Sequence, residues 1–137
     1  MRYAAIDLDW LCWFDPGVPD HAAAVPTMLN NVDAVVGNYY ETGVRLYALA
    51  GRMDSRADIE DLRTALGMPM TTVRLTAPLG EIERRLSASV TSGRQTDLSM
   101  ARAWYAEGSG EDIGDVAIGN DGPLRDVALE VLAALGW

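Results

Sequence analysis

Short apolar runs and helix-periodic segments take turns along this chain, and that alternation limits the possible fold more than any other feature. Residues 2–8 (Arg-Tyr-Ala-Ala-Ile-Asp-Leu) predict a first strand. Residues 20–41 predict a long helix, with Asp20 in the N-cap position and Met28, Val32, Val35 and Val36 on one face. Gly43 stops that helix, and residues 45–50 predict a second strand that ends at Gly51. Ser55 caps a helix over 56–66, Asp58 completes an approximate capping box, and Gly67 closes the helix. Residues 71–77 predict a third strand. Pro78 stops it and leads into a helix over 79–90, after which Gly93 interrupts the pattern. A helix over 96–106, a loop over 107–114, a short strand over 115–119 and a last helix over 123–135 follow, with Pro123 in the first turn of that helix. The expected fold class is α/β: a three-layer sandwich around a mostly parallel four-stranded sheet, with 1–137 as a single domain.

Charge narrows the functions. The 137 residues carry 20 acidic and 11 basic side chains, a formal net charge of −9. An acidic surface repels phosphate backbones, which argues against nucleic-acid binding. Every basic residue other than the single His is an Arg. Without Lys there is no Schiff-base lysine, no lysine general base and no phosphate-loop lysine. One Cys and one His allow neither an intrachain disulfide nor a zinc site of the usual Cys/His type, and no metal or cofactor is expected. No apolar run approaches the ~20 residues of a membrane span, so no membrane partner is expected. Met1-Arg2-Tyr3 soon meets Asp7 and Asp9, unlike a secretory signal, and a cytoplasmic location is the simplest expectation.

Several stretches resemble the small P-loop kinases, the shikimate, gluconate and adenylylsulfate kinase group. Ile6-Asp7-Leu8-Asp9-Trp10-Leu11 resembles their second strand, which ends in an acidic residue. Val73-Arg74-Leu75-Thr76-Ala77-Pro78 with Glu83-Arg84-Arg85-Leu86 resembles the strand–helix unit that leads to their arginine-bearing lid. Gly93-Arg94-Gln95 falls where the lid lies, and Gly119-Asn120-Asp121-Gly122 is similar to their adenine-side loop. The resemblance runs from residue 3 through nearly the whole chain. It departs from the family at the nucleotide cradle, because no G-x-x-x-x-G-K-[ST] turn occurs and no Lys is present. What it implies is a truncated kinase-like domain that lacks the N-terminal strand, phosphate loop and first helix. In that family the first strand sits in mid-sheet, so either the flanking strands pair directly or another chain fills the gap. A homodimer is one way to supply the missing burial.

The chemistry-bearing candidates gather after strand ends. Asp7 and Asp9, two apart on a predicted strand, are expected on one face at the crevice where open α/β sheets bind ligands. They are read as catalytic acid/base residues, or else one caps the turn and the other is solvated. The resemblance implies that an acidic residue here contacts substrate or magnesium. Trp10, Trp13 and Phe14 either wall an apolar pocket or cover the end of the core. Cys12 reads as a small buried hydrophobe, because its surroundings are acidic. His21, the only His, lies near Asp15 and Asp20 and is an acid/base candidate or an exposed residue of a first helical turn. Tyr39 near the end of the long helix is a substrate-binding candidate. Arg52 either clamps a carboxylate or phosphate, or forms a surface ion pair with Asp54 or Asp58. Arg85 and Arg94 match the family's lid arginines; they either bind an acidic substrate or pair with Glu81 and Glu83.

The expected function is a repurposed small-molecule enzyme on a P-loop kinase-like fold. It is independent of ATP and works by acid/base chemistry around Asp7 and Asp9. The alternatives are a non-catalytic, degenerate kinase-like binding protein and a kinase fragment completed by a partner chain that supplies the phosphate loop.

Overall fold

The computed structural model describes residues 2–13, 21–88, 92–108 and 112–137, and the side chains of all of these except 21–23, 92 and 94. Asp20 and Phe14 lie outside the described residues, as do the side chains of His21 and Arg94. The chain forms two compact units, Met1–Met70 and Thr71–Trp137.

The first unit runs strand β1 (Tyr3–Asp7), a 3-10 turn (Asp9–Leu11), helix α1 (His21–Glu41), strand β2 (Leu46–Ala50) and helix α2 (Arg56–Leu66). The two strands pair in parallel, Tyr3 against Leu46 through Asp7 against Ala50. Parallel strands need a long crossover, and α1 supplies it. Its apolar stripe recurs every fourth residue: Met28, Val32 and Val36 are buried, and Val32 is fully enclosed. This stripe packs on Ile6, Leu8 and Leu62, with Val35 partly buried beside them. Burial alternates along β1, with Ala4 and Ile6 inside and Tyr3, Ala5 and Asp7 outside, so the helices cover one face of this pair.

Local signals set α2. The Ser55 hydroxyl accepts the N–H of Asp58 at 3.2 Å and donates to its carboxylate at 2.8 Å. Gly67 ends the helix at φ +60°, a left-handed conformation that glycine adopts without steric cost, and its N–H donates to the Arg63 carbonyl.

The second unit holds strand β3 (Val73–Thr76), helices α3 (Leu79–Ser87) and α4 (Ser92–Ala106), strand β4 (Val116–Gly119) and helix α5 (Leu124–Ala134). β3 and β4 pair in parallel, Val73 against Val116 through Thr76 against Gly119. Asp115 sets the register from both sides. Its carboxylate accepts the Thr72 N–H at 2.8 Å, and its own N–H donates to the Thr72 carbonyl at 2.9 Å. Among the described residues of this unit, Leu98, Ile113, Ile118 and Val127 are the buried apolar ones. α3 and α4 are tied by Arg102 Nε to Glu83 Oε1 at 2.8 Å.

The mixed α/β class and the parallel pairing match the sequence expectation. The described strands pair two and two, β1 with β2 and β3 with β4, where one sheet of four was expected. Among the described residues no helix is long and apolar enough to cross a membrane.

Candidate functional site

The C-terminal end of the β1–β2 pair brings together most of the first unit's candidates. β1 stops at Asp7 because that side chain turns the chain: Asp7 Oδ1 accepts the N–H of Asp9 at 3.0 Å. Asp9 therefore opens a 3-10 turn and does not share a strand face with Asp7. This is the turn-cap role weighed for one of the two acids, and it falls to Asp7.

Four further bonds hold the turn. Leu8 N–H donates to the Ala50 carbonyl at 2.7 Å, which extends the ladder one residue past β1. Leu11 N–H donates to the Leu8 carbonyl at 3.0 Å. Asn31 Nδ2, on α1, donates to the Leu11 carbonyl at 2.6 Å. The Cys12 thiol donates to the Asp9 carbonyl at 3.5 Å. Asn31 was not singled out in the sequence. Its signal is position, three residues after Met28 and four before Val35, a polar side chain beside the apolar stripe.

β2 arrives alongside at the same end. A Cβ on Gly51 would lie 2.7 Å from Leu8 Cβ, so only glycine lets the two segments come this close. Arg52 follows, and its Nε meets Asp54 Oδ1 at 2.6 Å, with both side chains at least half exposed. Arg52 is thus engaged by Asp54, the ion-pair alternative of the sequence reading, and such a pair is worth under ~1 kcal/mol.

The turn displays Trp10 and Trp13 to solvent, 68% and 75% exposed. Their ring centroids are 4.7 Å apart and the planes are tilted by 49°, so the rings touch and form an open wedge. Asp9 begins the same turn, and its carboxylate takes no hydrogen bond or ion pair from the described residues. Cys12 sits at the turn's far end, partly buried. Burial pushes its thiol pKa up, and the negative charges of Asp9 and then Asp7 push the same way. A thiol held protonated is a poor nucleophile at neutral pH.

Tyr39 and Arg85 stand elsewhere. Tyr39 lies in the last turn of α1, where its carbonyl accepts Thr42 N–H at 3.0 Å and Val44 N–H at 3.2 Å as the chain enters β2. That is the start of the strands, about a strand length (~16 Å) from Asp7. The crossover helix returns the chain to the N-terminal edge of the sheet, so its last turn is carried away from the strand C-termini. Next to it, Arg45 stacks over the Tyr40 ring at 3.7 Å and donates to the Tyr40 and Val44 carbonyls at 2.7 Å, closing the helix end. Arg85 belongs to the second unit, where its Nε meets Glu81 Oε1 at 2.7 Å. Arg84 shares that carboxylate, and the two guanidinium groups lower the Glu81 pKa to about 2. His21 begins α1 and Arg94 lies in α4, with both side chains outside the described residues.

Among the described residues no group of three or more His, Cys, Asp or Glu is placed to hold a metal ion. The turn offers instead a wedge of two indoles with a carboxylate beside it, a surface suited to holding a small organic molecule. The sequence matches no protein-family model and no curated protein.

Proposed function

We propose that this chain binds and transforms a small molecule at the C-terminal end of the β1–β2 pair, on a P-loop kinase-like fold that works without ATP. The observation that carries the reading is the Asp9 carboxylate, which has no partner among the described residues and stands on a turn that also exposes two contacting indoles. Open parallel sheets bind ligands at this edge. Asp9 is the acid/base group, Trp10 and Trp13 are the apolar contacts, and Asp7 holds the turn in shape. ATP independence is supported by the absence of Lys and of a glycine-rich phosphate turn from these 137 residues. The single four-stranded sheet, the homodimer and the cytoplasmic location belong to the same proposal.

A compound screen by thermal shift tests the site. Compounds that stabilise the wild type should lose their effect on Asp9→Asn, and stabilisation of both proteins alike would sink the reading. Titration with ATP and magnesium should show no binding; a micromolar Kd would overturn the ATP independence. Light scattering at micromolar concentration should give twice 14.8 kDa.

The strand pairing favours a second reading, a kinase fragment completed by a partner chain. The described strands hydrogen-bond two and two. That pairing is compatible with a central strand supplied from elsewhere, as the family resemblance implies. Co-purification of a partner that confers ATP binding would establish this reading in place of the first.

A further inference from the structure

We propose that the wedge of Trp10 and Trp13 binds a small organic cation, an alkylated ammonium, with the Asp9 carboxylate as its counter-ion. The proposal rests on the reading of this turn as a small-molecule site and names the class of molecule.

The rings come first. Trp10 and Trp13 are the two most exposed tryptophans of the described chain, at 68% and 75%, although they follow directly from a core strand. Large aromatic groups left in water beside a rigid turn mark a contact surface. Indole faces carry negative potential and are the strongest aromatic partners of cations, and an alkylated ammonium also buries apolar surface against them. The two rings meet at 4.7 Å with a tilt of 49° and both stay largely exposed, which leaves ring surface for such a group.

The charges select the sign. Residues 7–13 contain Asp7 and Asp9 and no basic residue; at the same end of the sheet Arg52 is engaged by Asp54 at 2.6 Å, and Arg56 opens α2 after the Ser55 cap. That leaves the turn itself negative. The Cys12 thiol registers this field, since the charges of Asp9 and Asp7 both raise its pKa. A carboxylate or phosphate ligand, for which Arg52 is the candidate clamp, would have to displace Asp54 and approach Asp9 against its charge. A cation meets neither obstacle. The turn is also built to hold its shape, with Asp7, Asn31 and the Ala50 carbonyl each bonded to it, so little ordering accompanies binding.

The test uses the full chain and three probes of one shape: choline, its uncharged isostere 3,3-dimethylbutan-1-ol, and the anion 3,3-dimethylbutyrate. Indole N–H signals of the four tryptophans are followed by NMR, with Trp10→Phe and Trp13→Phe assigning the two of interest. Choline should move the Trp10 and Trp13 signals and bind about threefold to tenfold more tightly than the alcohol. Asp9→Asn should bring that ratio towards one while its NMR spectrum stays that of a folded protein. Equal binding of the alcohol, or tighter binding of the anion, at these indoles would overturn the cation class and leave the small-molecule site standing. No shift of either indole with any probe would also overturn the proposal, and the compound screen on Asp9→Asn then decides the site reading separately.

Discussion

The backbone N–H of Asp9 donates to Asp7 Oδ1 at 3.0 Å, and this bond gives two acids of one short motif different roles. Asp7 shapes the turn, and Asp9 keeps its charge towards solvent. Asp7→Ala should therefore cost about 1 kcal/mol, the usual value of a turn or cap bond, while Asp7→Asn keeps the accepting oxygen and costs less. Asp9→Asn should stay within about 0.5 kcal/mol of wild type. Urea unfolding of the three variants measures the order, and an Asp9→Asn loss larger than that of Asp7→Ala would make Asp9 structural.

Gly51 lies against Leu8, where an added Cβ would stand 2.7 Å from Leu8 Cβ. Leu8 is only 3% exposed and belongs to the core, so the clash has no flexible chain end to absorb it. Gly51→Ala should destabilise by about 1–3 kcal/mol. A thermal melt at neutral pH unchanged from wild type would mean that the ladder parts easily at this end.

Asn31 ties α1 to the turn through the Leu11 carbonyl at 2.6 Å. Asn31→Leu should lose about 1 kcal/mol and weaken the near-ultraviolet circular dichroism that coupled indoles produce. Trp10→Phe supplies the reference spectrum without the pair. If Asn31→Leu retains the full signal, the turn holds the indoles without help from α1.

Burial is the first cause of the raised Cys12 pKa, and the Asp9 charge is the second. Removing that charge lets more thiolate form at a given pH. Asp9→Asn should speed alkylation of Cys12 by iodoacetamide at pH 8, by less than full unfolding does. An unchanged rate would show that the Asp9 charge does not reach the thiol.

Glu81 accepts from Arg84 Nε and Nη2 and from Arg85 Nε, each at 2.7 Å, and its pKa falls to about 2. A carboxylate with a depressed folded pKa stabilises above its unfolded value and loses that contribution as pH falls through the folded one. The window here runs from about 4.5 down to about 2. Glu81→Gln should lower the melting temperature at pH 7, with the difference shrinking across that window. A difference that persists unchanged at pH 2 would assign the effect to packing and not to charge.

The sequence by itself determined the elements and their class. α2 occupies Arg56–Leu66 as expected because its start and stop are written within a few residues, in the Ser55 cap and the Gly67 reversal. α1 was legible because Met28, Val32 and Val36 recur at the helical period, and they are the residues buried. α4 begins at Ser92, ahead of the expected 96, because its first turn tolerates Gly93. Tyr39 lies at the start of the strands because a short turn joins α1 to β2, a placement already contained in the order of the elements. What only the tertiary structure decided involves residues far apart in the chain. Strand pairing joins Asp7 to Ala50 and Thr76 to Gly119, and local propensity carries no record of such partners. The bond that ends β1 at Asp7 turned a strand-face pair of acids into a cap and a carboxylate without a partner among the described residues. Side-chain hydrogen bonds of this kind depend on ångström-scale placement, which is settled when Leu8 packs against Gly51 and Asn31 reaches Leu11, and not by the composition of either segment.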